Sequence, residues 1–209
     1  MNKPSLILIG AGSHAHACID VIEQHGNFRI AGLVGMPEEV KSKSLGYSVI
    51  ASDRDLPELA KAYRYALVTV GQIGSPENRV RLYRLAAELG FELPAVVSPL
   101  AYVSLHAVIG AGTIVMHGAI VNAGARLGNN CIVNTRALVE HDATIEDHCH
   151  ISTGAILNGN ARLGAGSFVG SGSTIREGVA LGKACVVGMG VAVRHDQPDG
   201  ARFVGKGKP

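Results

Sequence analysis

From residue 103 onward the chain places an aliphatic side chain at every sixth position without a break. The series runs Val103, Ile109, Val115, Val121, Leu127, Val133, Val139, Ile145, Ile151, Leu157, Leu163, Val169, Ile175, Leu181, Val187 and Val193. A helix repeats every 3.6 residues and a strand every 2, so neither produces a strict period of six. Two positions ahead of each aliphatic stands a small or modest side chain, as at Ala119, Ala125, Cys131, Ala137, Ala143 and Cys149. Large and small inward positions thus alternate along short strands, which is the hexapeptide signature of a parallel β-helix.

The first hundred residues follow another pattern. Ser5 to Ile9 is a short continuous apolar run, as in a buried parallel strand. It ends in Gly10-Ala11-Gly12-Ser13-His14, and a helical pattern follows through Gln24 to a stop at Gly26. Phe28–Val34 predicts a second strand, Leu56–Tyr63 a short helix, and Tyr65–Val70 a third strand closing at Gly71. Ser75 as N-cap and Pro76 in the first turn open a helix to Leu89, which Gly90 stops. Strands alternating with helices predict an α/β layer with a small Rossmann-like parallel sheet in residues 1–97. The β-helix then occupies residues 98–209, with Pro94, Ser98 and Pro99 at the joint.

The Gly10-x-Gly12 turn is an incomplete dinucleotide fingerprint. Ala15 stands where a third glycine belongs, and the second strand ends Val34-Gly35 without the acid that holds a ribose hydroxyl. A glycine turn at a helix N-terminus still offers N–H groups and a positive dipole end to a phosphate. A tight strand-to-helix turn with no ligand fits the spacing equally well.

A net charge of +2 and the lack of a basic run give no reason to expect nucleic acid. The four cysteines form neither a CxxC pair nor a disulfide framework, as expected of a reducing compartment. The N-terminus lacks a signal-peptide pattern and no apolar run has the length of a membrane span. A cytoplasmic protein is expected.

Nine histidines are available for chemistry. His16 and His25 fall in the first helix and at its end. His106 and His195 lie in the first and last coils, and only His195 has a carboxylate beside it, Asp196. His141 stands in Glu140-His141-Asp142, two residues past Val139, at a corner where side chains point outward. A carboxylate beside an imidazole holds one tautomer and raises its basicity, but turns are also rich in solvated Glu, His and Asp. On residues alone both readings stay open.

The hexad series resembles the left-handed β-helix of the hexapeptide acyltransferases, in which three hexads make a triangular coil of eighteen residues. On that geometry Cys131, Cys149 and Cys185 stack on one inner face as small hydrophobes, and Asn122 and Asn158 flank Glu140 one coil away on either side. With the IGAGSHA turn ahead of it, nearly the whole chain is similar to the bacterial nucleotide-sugar N-acetyltransferases. These act on UDP-linked 4-amino-4,6-dideoxy sugars (bacillosamine type) or GDP-perosamine, with sialic-acid O-acetyltransferases as relatives. The resemblance implies acetyl-CoA as co-substrate and no metal. It also implies a homotrimer with clefts shared between neighbouring β-helices.

For individual residues it implies His141 as general base and Asp142 as the acid orienting it. Gly12, Ser13, His14 and Gly71 are implied nucleotide contacts, with Asn134 and Glu140 on the substrate side. His150, Gly159, Ser171 and Met189 are implied acetyl-CoA contacts, the Gly159 N–H holding the oxyanion. The chain departs from the family at Val34 and Gly35, where acids are usual, and in its tail, Phe203-Val204-Gly205 followed by Lys206-Gly207-Lys208-Pro209.

Two rival readings stand beside this one. A metal hydrase of the γ-carbonic-anhydrase type shares the β-helix, and His117, His141, His148 and His150 raise the question, although their spacing does not match. A non-catalytic scaffold would need neither the Glu-His-Asp corner nor the glycine turn.

Overall fold

The computed structural model describes residues 3–203. They form two compact units, one from residues 3–71 and 77–96, the other from residues 72–76 and 97–203. In chain order the first unit holds β1 (Ser5–Ile9), α1 (Ser13–His25), β2 (Arg29–Gly35), β3 (Lys43–Ser44), β4 (Tyr47–Ser52), α2 (Leu56–Ala62), β5 (Tyr65–Val68) and α3 (Glu77–Glu88). The sheet order is β3-β4-β2-β1-β5, parallel except for β3 against β4.

Strand β4 and its short partner β3 escape the hydrophobic pattern. Their two-residue loop, Leu45-Gly46, takes positive φ at both positions (45° and 86°), as the tight primed hairpin turns require. Leucine is not a residue whose composition announces such a turn. Strand β5 ends at Val68, two residues before the expected end at Val70. There Thr69 Oγ1 donates to the Gly10 carbonyl (2.7 Å), and the buried Arg79 of α3 donates to the carbonyls of Val68 and Val70 (2.8 Å each). Helix α3 starts at Glu77, with Ser75 and Pro76 ahead of its first turn.

The second unit is a left-handed parallel β-helix. Every strand is two residues long and pairs in register with the strand eighteen positions on, as Ile120 with Leu138 and Val121 with Val139. One sheet stacks the strands 102–103, 120–121, 138–139, 156–157, 174–175 and 192–193. A second stacks 108–109, 126–127, 144–145, 162–163 and 180–181, and a third runs from 96–97 through 132–133 and 150–151 to 202–203. The second residue of nearly every strand points inward and is buried with the small residue two places before it. Cys131, Cys149 and Cys185 lie in this core, and burial pushes the Cys149 thiol well up. Inward hydroxyls satisfy themselves on the backbone: Thr113 Oγ1 donates to Gly128 O (2.8 Å) and accepts from Cys131 N (2.9 Å).

Each corner turns through one residue of positive φ, every sixth position from Gly112 to Gly190. Glycine fills most of these positions, and Asn130, Asp142 and Asn160 are among residue types that tolerate the left-handed region. Arg136 and Ala184 do not, having φ of 58° and 53°. Among the described residues no helix is long and apolar enough to cross a membrane.

Ala184 is exposed and its only misfit is the backbone. Ala184→Gly relieves about 1–2 kcal/mol of left-handed strain and returns part of that as unfolded-chain entropy. A net stabilisation of about 0.5–1 kcal/mol is expected, read as a higher urea midpoint at unchanged slope.

Candidate active site

The corner after strand 138–139 carries Glu140, His141 and Asp142. Positive φ at Asp142 (59°) folds its carboxylate back toward the preceding imidazole, and Asp142 Oδ2 lies 3.0 Å from His141 Nδ1. The coil below leaves room for that carboxylate: a Cβ on Gly124 would overlap Asp142 Oδ1. The coil above leaves room for the ring, since a Cβ on Gly159 would stand 2.6 Å from His141 Nε2 and 2.7 Å from Cε1. Glu140 turns along the corner, where Oε2 accepts from Asn122 Nδ2 (2.9 Å) and from the His141 N–H (3.2 Å).

With Nδ1–H donating to Asp142, Nε2 is left as an acceptor at the surface. The Asp142 hydrogen bond chiefly, then the charges of Asp142, Glu140 and Glu177, raise the imidazole's pKa above its ordinary value; partial desolvation opposes them. Among the described residues nothing accepts a hydrogen bond from the buried Gly159 N–H beside this ring. A base and an unspent donor therefore meet at one edge.

His150 is built differently. It begins strand 150–151, points out of the third sheet, and is buried. Its Nδ1 lies 2.5 Å from the Gln72 carbonyl and its Nε2 3.2 Å from Asn134 Nδ2, so Nδ1–H donates and Nε2 accepts. Phe168 packs edge-on against the ring at 5.2 Å. The segment holding Gln72 is anchored by Gln72 Nε2, which donates to His148 O (2.9 Å) and Gly166 O (3.3 Å). Asn134 Oδ1 also accepts from Thr135 N (2.8 Å). Ser171 Oγ lies 2.9 Å from Ser152 Oγ at the corner between the third and first sheets. Met189 is at the same corner one coil on and is 79% exposed.

In the first unit the glycine turn joins β1 to α1. Gly10 (φ 128°) is compelled by Val70, whose Cγ2 would be 2.7 Å from an added Cβ. Gly12 caps α1 with no side-chain hydrogen bond, and a Cβ there would meet only open space. Gly71 comes beside His14, with 3.4 Å between His14 Cβ and a Cβ built on the glycine. At the end of β2, Gly35 leaves the space that the Glu39 carboxylate enters: Glu39 Oε2 would be 2.7 Å from an added Cβ, with Ala11 Cβ at 3.1 Å. Glu39 also accepts from Met36 N (2.7 Å).

Residues 5–85 match the PglD N-terminal domain and residues 160–194 the hexapeptide repeat of succinyl-transferase. A search of curated proteins returned no match. The acetyltransferase domain of PglB from Neisseria gonorrhoeae, solved in complex with acetyl coenzyme A, is 34% identical with a TM-score of 0.88, over 96% of each chain. The chain belongs to the nucleotide-sugar N-acetyltransferases of the hexapeptide-repeat superfamily. PerB from Caulobacter crescentus, in complex with CoA and GDP-perosamine, is 31% identical with a TM-score of 0.88, over 95% of this chain and 92% of that one. A histidine-to-asparagine variant of perosamine N-acetyltransferase from the same organism, again with CoA and GDP-perosamine, is 30% identical with a TM-score of 0.90. It covers 96% of this chain and 93% of that one.

Membership makes this protein an acyltransferase and sets aside the scaffold and hydrase readings. Its β-helix histidines are also held apart, His117 on Ser98 and His148 on Asn130. Among the described residues no three His, Cys, Asp or Glu gather as metal ligands. In this acetyltransferase the structure brings together Glu140, His141, Asp142 and Gly159, and separately Asn134 with His150, and Gly71 with His14. Glu39, Gly124 and Gln72 were not legible beforehand. Glu39 reaches the strand end from a separate 3-10 turn, Gln72 from a connecting segment, and Gly124 is one glycine among 27. Of the atypical tail, residues 204–209 lie outside the described residues.

Gly159 has ordinary negative φ, so Gly159→Ala adds a methyl without backbone strain and pushes the His141 ring from its seat. Acetyl transfer falling at least about tenfold, with the unfolding midpoint nearly unchanged, is the expected outcome in steady-state kinetics paired with thermal melts.

Proposed function

We propose that this enzyme transfers the acetyl group of acetyl-CoA to the amine of a nucleotide-linked 4-amino-4,6-dideoxy sugar, with His141 as general base. The observation that carries the reading is the corner itself. An imidazole fixed by a carboxylate at Nδ1 presents Nε2 beside an unspent N–H, in a chain whose relatives hold acetyl-CoA, or CoA and GDP-perosamine.

The neutral amine attacks the thioester carbonyl and gains positive charge as the C–N bond forms. His141 Nε2 accepts its surplus proton, and Asp142 stabilises the resulting imidazolium. The Gly159 N–H steadies the tetrahedral oxyanion, which collapses with departure of the CoA thiolate. No covalent enzyme intermediate enters, since all four cysteines are buried. Glu140 and Asn134 face the acceptor, while His150, Ser171 and Met189 serve the donor. Gly12, Ser13, His14 and Gly71 receive the nucleotide, a phosphate lying on the open N-terminus of α1. Glu39 is the carboxylate available to the ribose in place of the missing strand-end acid. Such chemistry, with unpaired cysteines, suits the cytoplasm.

One chain does not bring its proposed groups together. His141 sits on the edge between the first and second sheets, and His150 projects from the third sheet, the side opposite that edge. Both serve one reaction only if they come from neighbouring copies, which supports a homotrimer with three shared clefts. Tyr102, Leu105, Val108 and Ile120 leave large apolar surface exposed on the first coils for such an assembly. Light scattering should give three times the 21.7 kDa chain mass; a monomer would sink the shared cleft.

Thiol release from acetyl-CoA should occur with one member of a panel of UDP-4-amino-4,6-dideoxy sugars, GDP-perosamine and sialic acid. Release with sialic acid alone would make the enzyme an O-acetyltransferase. His141→Ala should lower kcat by about 10²–10⁴. The base must be neutral, so kcat/KM falls as pH drops through its raised pKa. Asp142→Asn removes the main cause of that rise and should carry the acid limb to lower pH. A limb that stays put in Asp142→Asn would exclude His141 as its origin.

A further inference from the structure

In the segment 72–76 only Gln72 is buried, at 3% exposure. Its Nε2 donates to the carbonyls of His148 (2.9 Å) and Gly166 (3.3 Å). Its Oε1 is equally buried and has no hydrogen-bond partner among the described residues. A buried carbonyl left without a donor costs stability, and a leucine of similar volume would avoid that cost. Local rules are broken in this way chiefly where function requires it. The function lies in what the anchored backbone of Gln72 holds.

The Gln72 carbonyl lies 2.5 Å from His150 Nδ1. Two acceptors at that distance would repel, so the contact requires the proton on Nδ1. The far end of the ring demands the same tautomer independently. Asn134 Oδ1 accepts from Thr135 N (2.8 Å), which turns the amide so that Nδ2 faces His150 Nε2 at 3.2 Å. A proton on Nε2 would set two donors against each other. Phe168, edge-on, closes a third side of the ring. The amide nitrogen of Asn134 carries two N–H groups. One is engaged by His150; the other has no acceptor among the described residues, and the side chain is only half-buried.

We infer that Gln72 is a positioning residue that acts through His150 to aim the second N–H of Asn134 at an oxygen of the acceptor sugar, an inference that rests on the acetyltransferase reading above. The relay has no slack at its joints. Turning the Asn134 amide over would set Nδ2 against the Thr135 N–H and Oδ1 against the lone pair of His150 Nε2, two mismatches at once. The aimed N–H cannot serve the attacking nitrogen, whose lone pair must stay free for the thioester carbonyl. It takes a hydroxyl of the same sugar, and so fixes the ring that carries the amine. A donor held in place before the substrate arrives needs no reorganisation when it binds. His150 moves no proton in this arrangement, and His141 remains the base.

The test is a double-mutant cycle with a spectroscopic check. Wild type, Gln72→Leu, Asn134→Ala and the double variant are assayed with acetyl-CoA and GDP-perosamine or the UDP-4-amino-4,6-dideoxy sugars, beside melting curves. Gln72→Leu should melt close to wild type yet lose about tenfold in kcat/KM for the sugar. Asn134→Ala should lose at least as much, and the double variant no more than Asn134→Ala, since the two act as one unit. Losses that multiply in the double variant would give Gln72 an independent role and overturn the relay, as would wild-type kcat/KM in Gln72→Leu. Nitrogen NMR of wild type with isotope-labelled histidine needs neither a variant fold nor a substrate. The His150 signals, identified by their loss in His150→Asn, should be pyrrole-type at Nδ1 and pyridine-type at Nε2. A protonated Nε2 would overturn the relay alone and leave the acetyltransferase reading intact. Wild type turning over none of these sugars would overturn that reading and the relay's role together.

Discussion

In-register parallel stacking governs everything the second unit does. Strands of two residues can hydrogen-bond only to the coil below and the coil above, so a coil has no stability of its own. What locks the stack is a dry interior with one large and one small inward side chain per hexad, and a corner that turns through positive φ every sixth residue. Because the coils are identical in path, any residue placed at a corner is automatically stacked on those eighteen positions away. The fold is thus a ruler on which side chains are spaced by one strand separation.

The proposed reaction centre uses this ruler by leaving rungs empty. His141 and Asp142 are neighbours in the chain, and neighbours at a turn ordinarily wander in solvent. Here the carboxylate settles over Gly124 and the ring over Gly159, so two missing side chains give the pair its geometry. The positive φ that the corner demands at position 142 is met by an aspartate, a residue that tolerates it, and that same conformation folds the carboxylate onto Nδ1. Architecture and acid–base chemistry therefore share one backbone torsion.

His150 shows the opposite use of an imidazole. Both ring nitrogens are engaged, its edge is packed by Phe168, and its tautomer is set by a backbone carbonyl. Such a residue can shape a surface and present a fixed donor–acceptor pattern through Asn134, while proton transfer is better suited to the exposed Nε2 of His141. That the two lie on opposed sides of one triangular prism is a property of the coil, and it is why assembly enters the functional proposal.

The β-helix was legible because its core is strictly periodic: a period of six admits few folds, and the inward aliphatics from Val115 to Val193 are buried. The Glu140-His141-Asp142 corner was legible because its members are adjacent in sequence. Strand β4 was not, because its hairpin turns through Leu45. The acid at the end of β2 was not either, because Glu39 reaches it from outside the strand. Gly124 beneath Asp142 and Gln72 against His150 are contacts between residues 18 and 78 positions apart. Local pattern encodes which face is apolar and where the chain turns, since those depend on near neighbours. Which side chains share a space depends on register between distant segments, and only the folded stack decides that.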